Sequence, residues 1–262
     1  MNHQHGTFSG RGGLSLYHQR WLPDGDAKAV LLIAHGYAEH SGRYGNVVDY
    51  FVPRGYAIWA LDHRGHGRSE GERVYIETFD DYVTDLRTFF EMVRDANAGL
   101  PVYLIGHSMG AFIATAYAAK HQDDLTGLIL SGGGIGTGRR PTSAGPSQID
   151  LSTTLSRDPA VGEAYRTDPL VFHGTPPESR REAMMAFWSE LRDMARAITL
   201  PVLIVAGAAS PLGDGPGSER LFETVSSEDK TLKLYDGLLH EIFNEPEREQ
   251  VFADMEAWLA SH

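Results

Sequence analysis

Apolar residues are spaced along this chain in two alternating ways. Unbroken apolar runs occupy 29–34 (Ala-Val-Leu-Leu-Ile-Ala), 56–61, 102–105 and 201–206. Runs this short, without polar alternation, predict strands covered on both faces, as in a parallel sheet. Residues 125–131 and 230–235 read as further strands. An opening strand carrying Leu14, Leu16 and Trp21 between polar residues ends at the turn Pro23-Asp24-Gly25-Asp26. Helical spacing predicts helices over about 44–52, 79–94, 111–120 and 247–259, the first stopped by Pro53-Arg54-Gly55. Strand and helix alternating through short connections predict an α/β protein with a mainly parallel, doubly wound sheet. The alternation fails from 137 to 199, where Pro, Gly, Ser and Thr punctuate the chain around one helix, 178–197. A block of this kind between two strands reads as a cap. The expected organisation is a core of 1–136 and 200–262 with an inserted cap, 137–199.

The chemistry is concentrated at the end of the 102–105 strand, where Gly106-His107-Ser108-Met109-Gly110 leads straight into a helix. Strand, sharp turn and helix form the context in which Gly-x-Ser-x-Gly becomes a nucleophile elbow. Ser108 must sit in a strained turn, and the crowding around it admits no side chain at Gly106 or Gly110. A serine hydroxyl needs a base to become a nucleophile. His240, just past the 230–235 strand, lies at the same sheet edge as Ser108 and is the candidate. The backbone amide of Met109, at the start of the following helix, is one expected oxyanion donor. The other is the amide of Tyr37, after His35-Gly36 at the end of the 29–34 strand.

Composition narrows the possibilities. The 262 residues carry a formal charge of −12, with Lys and Arg scattered, which argues against nucleic acid or an anionic membrane surface as partner. With no cysteine, disulfides, thiol nucleophiles and thiolate metal sites are excluded. Residues 1–13 show no signal-peptide pattern, and no apolar run approaches the roughly 20 residues needed to span a bilayer. A cytoplasmic protein is expected, with no stable membrane insertion but with transient contact with a lipid surface left open, as is oligomeric state. His63 and His66 beside Asp62 lack a suitably spaced third ligand, so they are read as loop structure rather than a metal site. Glu39, His40 and Arg43 are read as bracing the 35–44 loop. On the 178–197 helix, Met184, Met185, Phe187, Trp188 and Leu191 share a broad apolar face that serves either the core or an acyl pocket. Met184, Phe187 and Trp188 are the candidates for substrate contact.

Four segments together resemble the monoacylglycerol lipase and lysophospholipase group of α/β-hydrolases. They are His-Gly-Tyr-Ala-Glu-His-Ser-Gly-Arg-Tyr (35–44), Asp-His-Arg-Gly-His-Gly-Arg-Ser (62–69), Gly-His-Ser-Met-Gly (106–110) and His-Glu-Ile-Phe-Asn-Glu-Pro-Glu (240–247). Residues 155–159 and 168–174 are similar to that group as well. The resemblance implies an α/β-hydrolase fold and hydrolysis of a small ester with an acyl chain, without cofactor or metal. It also implies an acyl-enzyme on Ser108 and a mobile cap. The group's acid normally follows the 201–206 strand as Gly-x-x-Asp, but here that strand continues Gly207-Ala208-Ala209-Ser210. A serine there can orient the imidazole but cannot stabilise its charge. Two readings stay open: Asp214, in the flexible glycine-rich stretch 212–217, swings in as the substitute acid, or Ser210 fills the gap beside a weakened Ser108–His240 pair. The alternatives are a hydrolase of a non-lipid ester or lactone, and a catalytically impaired protein retained for ligand binding.

Overall fold

The computed structural model describes residues 1–136 and 151–262. Eight strands of the described residues form one sheet: β1 (Asn2–Ser9), β2 (Ser15–Leu22), β3 (Ala29–Ala34), β4 (Tyr56–Leu61), β5 (Val102–His107), β6 (Gly127–Ser131), β7 (Val202–Gly207) and β8 (Lys230–Tyr235). Their spatial order is β1-β2-β4-β3-β5-β6-β7-β8. The β1–β2 and β2–β4 pairs are antiparallel and all others parallel. Among the described residues seven helices accompany them: α1 (Gly45–Phe51), α2 (Asp80–Ala96), α3 (Met109–His121), α4 (Pro159–Thr167), α5 (Glu178–Arg196), α6 (Asp214–Thr224) and α7 (Arg248–Leu259). This is the doubly wound α/β architecture expected, within one or two residues at most element ends.

Every residue of β3, β4, β5 and β7 is buried, as unbroken apolar runs require. Alternate side chains go to opposite faces. Val30 and Leu32 of β3 pack with α2, α3, α5 and α6 on one side. Leu31 and Ile33 pack with α1 and α7 on the other. The chain starts the parallel sheet at β3, adds β4 on one side, and then crosses back to add β5 on the other. Such a switch point opens a crevice at the carboxyl ends of the strands. The segments after β3, β5, β7 and β8 all emerge at that edge.

Three elements differ from the sequence expectation. The polar N-terminus is strand β1, α4 lies in the irregular region, and the glycine-rich stretch after Ser210 becomes α6 rather than a loop. Between β6 and β7 the described residues hold α4 and α5 and no strand. Residues 137–150 of the expected cap lie outside the described residues.

Candidate active site

Ser108 lies between β5 and α3 at φ 53° and ψ −115°, a left-handed conformation that costs on the order of 1–3 kcal/mol for a residue with a side chain. Close approach of backbone explains its glycine neighbours. A Cβ on Gly106 would collide with the Gly110 carbonyl oxygen, and one on Gly110 with the Ala34 carbonyl oxygen of β3. The Ser108 amide donates to Ser131 O at 2.8 Å, and its carbonyl accepts from Ala111 N at 3.0 Å, so the turn is tied on both sides.

His240 is buried, and its Nδ1 lies 2.7 Å from Asp214 Oδ2. A carboxylate only accepts, so Nδ1–H donates and Nε2 is left as the basic nitrogen. Burial pulls the imidazole pKa down. The Asp214 hydrogen bond and charge, helped by Glu241 and Glu39, more than reverse this, leaving it above the ordinary 6.5. His107 packs with its ring centroid 4.8 Å from that of His240. Burial, reinforced by His240, pushes His107 down to about 3, so it stays neutral.

Asp214 reaches His240 because two loops touch. A Cβ on Gly207 would overlap the carbonyl oxygens of Leu238 and Leu239. Ala208 N donates to Tyr235 O at 2.9 Å and Ala209 N to Leu238 O at 3.0 Å. Ser210 turns back on its own loop, its hydroxyl accepting from Leu212 N at 3.3 Å. Asp214 is the first residue of α6, after Gly213 at φ 81°, so it is held at a helix start and not in a swinging loop.

The segment after β3 presses on the elbow: a Cβ on Gly36 would lie 3.3 Å from that of Ser108. The Gly36 amide is tied to Glu39 Oε1 at 2.6 Å, which also accepts from Tyr44 Oη at 2.9 Å. The Tyr37 amide follows at once. Met109 is the first residue of α3, where helix amides have no intrahelical acceptor. Arg43 joins Glu39 (3.0 Å) to both carboxylate oxygens of Glu241 (2.5 and 2.9 Å), next in sequence to His240. Glu39 and Arg43 therefore brace the loop, and Glu241 is their partner from the histidine segment. The sequence reading had not singled it out, although it stands next to His240. His40 Nε2 meets Asp168 Oδ2 at 2.8 Å.

The segment following 137–150 is anchored to the same place. Thr154 O accepts from His240 N at 3.4 Å and Leu155 O from Glu241 N at 2.7 Å. Ser156 Oγ donates to Asn244 O at 3.0 Å, and Arg157 pairs with Glu245 at 3.2 Å and with Glu247. On α5, Met184 and Phe187 are buried, Phe187 stacking on Phe79 with centroids 3.7 Å apart, whereas Trp188 is 55% exposed. That face is core at Met184 and Phe187 and surface at Trp188.

Among the described residues no group of three or more His, Asp or Glu side chains is placed to hold a metal ion. The polar network expected around His63 and His66 centres instead on Asp62. Its Oδ1 accepts from Ser41 N and Oγ, and its Oδ2 from Arg68 N. Both ring nitrogens of His63 and Nε2 of His66 are buried without a partner.

A family profile described as serine aminopeptidase, S33 matches residues 25–247, most of the chain. The chain belongs to this family of α/β-hydrolases. It is 37% identical to the monoacylglycerol lipase of Mycolicibacterium smegmatis, over 98% of this chain and 96% of that one. The monoglyceride lipase of Homo sapiens is 31% identical over 95% of this chain and 88% of its own. The crystal structure of Paleococcus ferrophilus monoacylglycerol lipase superimposes with a TM-score of 0.80 at 27% identity, covering 94% of this chain and 99% of that one. Among the described residues of this S33-family chain, no helix is long and apolar enough to cross a membrane.

Proposed function

We propose that this S33-family protein is a carboxylic ester hydrolase of the monoacylglycerol lipase type, with Ser108, His240 and Asp214 as its catalytic triad. The observation that carries the triad is the 2.7 Å contact between Asp214 and His240, on the sheet edge that also bears Ser108 in its strained turn. Ser108 Oγ attacks the ester carbonyl carbon while His240 Nε2 takes the hydroxyl proton. The carbonyl electrons move onto oxygen, where the Tyr37 and Met109 amides donate to them. The C–O bond to the alcohol breaks as His240 returns the proton to it, leaving an acyl-Ser108. Water, deprotonated by the same imidazole, then releases the acid and restores the serine. Asp214 fixes the tautomer and stabilises the imidazolium.

With a carboxylate already on Nδ1, a catalytically impaired binding protein is not favoured. The 137–199 segment is taken as the cap over the acyl chain, and the setting is taken as cytoplasmic. Fluorophosphonate labelling tests the assignment. The expected result is an adduct on Ser108 that disappears in Ser108→Ala, together with hydrolysis of monoacylglycerols. Folded protein that takes no label at Ser108 overturns it.

A further inference from the structure

One buried cation has no part in the scheme above. Arg180, in the first turn of α5, is 7% exposed. Its Nη1 donates to Tyr82 Oη at 2.9 Å and to Val74 O at 3.4 Å. Its Nη2 lies 3.1 Å from Met109 Sδ, and its guanidinium carbon stands 4.4 Å from the centroid of the Tyr37 ring. One guanidinium therefore touches the side chains of both residues whose amides are assigned to the oxyanion.

A buried charge is costly unless it is paired, and the usual partner is a carboxylate. Among the described residues none lies at ion-pair distance from Arg180. The acids of the adjoining loops are engaged elsewhere, Glu39 with Gly36, Tyr44 and Arg43, and Asp62 with Ser41 and Arg68. His63 and His66 are fully buried and held well below the ordinary imidazole value, first by burial and then by neighbouring positive groups that include Arg180. Neutral rings add no compensating charge. Among the described residues the site thus keeps a fixed positive charge without a carboxylate partner, behind the place where negative charge develops during ester cleavage. Preorganised charge of this kind acts most strongly in a water-poor setting.

We propose that Arg180 is a positioning residue for the oxyanion hole: through its contacts with Tyr37 and Met109 it fixes the two donors and lends their amides a positive field. The inference rests on the ester-hydrolase reading and on those two donors. It also gives α5 a task in the reaction, since that helix delivers the charge from the segment between β6 and β7.

The test compares Arg180→Met and Arg180→Lys with the parent protein on a soluble p-nitrophenyl ester, after thermal unfolding and near-UV circular dichroism establish that each is folded. Loss of a direct oxyanion donor costs about 10²–10³ in kcat, and a charge one layer behind should cost less. Arg180→Met is expected to lose on the order of tenfold to a hundredfold in kcat with KM within about threefold. The rate of fluorophosphonate addition to Ser108 should fall in parallel. Arg180→Lys keeps a point charge without the planar stacking and is expected to recover part of the loss. If Arg180→Met does not fold, Arg180→Gln, which keeps a donor toward Tyr82, takes its place in the comparison. Unchanged kcat in the neutral variant, equal losses in the neutral and lysine variants, or an effect confined to KM would each overturn the proposal. A parent protein that hydrolyses no ester and takes no label at Ser108 overturns the underlying reading as well, which separates the two failures.

Discussion

Ser210 and Asp214 stand four positions apart, and the difference between them is what each side chain faces. The Ser210 hydroxyl serves the Leu212 amide, whereas the Asp214 carboxylate serves His240. The sequence left both open because the path from Gly207 to Asp214 is set by bonds to a distant loop, such as Ala209 N to Leu238 O. No local pattern carries that information. Gly106, Ser108 and Gly110, by contrast, were legible because a crowded turn restricts its own residues. Asp214→Asn keeps the shape and removes the charge, and is expected to lower kcat by about 10⁴, the loss seen for the same change in a serine protease. Ser210→Asp should give no gain, since the acid is already supplied. The proposed base works only when neutral, so kcat/KM should rise with pH through the folded value of His240. That value is raised, so the acid limb should have its midpoint above 6.5. In Asp214→Asn the limb should move to lower pH, and a pH series of initial rates on both proteins checks the sign.

Two elements escaped a reading based on hydrophobic period, for separate reasons. Strand β1 is an edge strand with mostly polar, exposed residues, so nothing in its composition asks for burial. Helix α6 begins Asp-Gly-Pro-Gly, which reads as a turn, yet the helix accommodates it. Pro216 sits in the first turn, where its missing N–H would lack a partner in any case. A Cβ on Gly217 would press on the Gly134 backbone, 3.3 Å from its Cα. Gly213 has open space around it but a left-handed φ of 81°. Gly213→Ala should therefore strain the backbone without a clash and destabilise the fold by about 1–2 kcal/mol. It should also reduce kcat, because Asp214 is the next residue. Gly213→Asn, which tolerates the left-handed region, should lose less of both. Urea unfolding and steady-state kinetics on the two variants make the comparison.

At the level of the whole molecule, the apolar runs were enough to mark most of the sheet's strands, but the ties between its loops were not foreseen. Arg43 is the clearest of these ties: with Glu39 and Glu241 it forms a buried bridge, each side chain 5–9% exposed, between the oxyanion segment and the histidine segment. Burial pulls its pKa down, and Glu241 and Glu39 more than reverse that, so it stays charged. Arg43→Met would leave the buried carboxylates of Glu39 and Glu241 without their shared cation. Removing one partner of a buried pair typically costs about 3–5 kcal/mol, and denaturant titration should show a loss of that size.

The anchoring of residues 154–157 to 240–247 has a consequence for domain exchange among these hydrolases. Transplanting 137–199 wholesale from a relative would also replace the carbonyls that hold the base-bearing backbone. A chimera retaining 151–158 of this chain, with foreign sequence begun after it, would alter what is admitted to the crevice while leaving the imidazole where it stands.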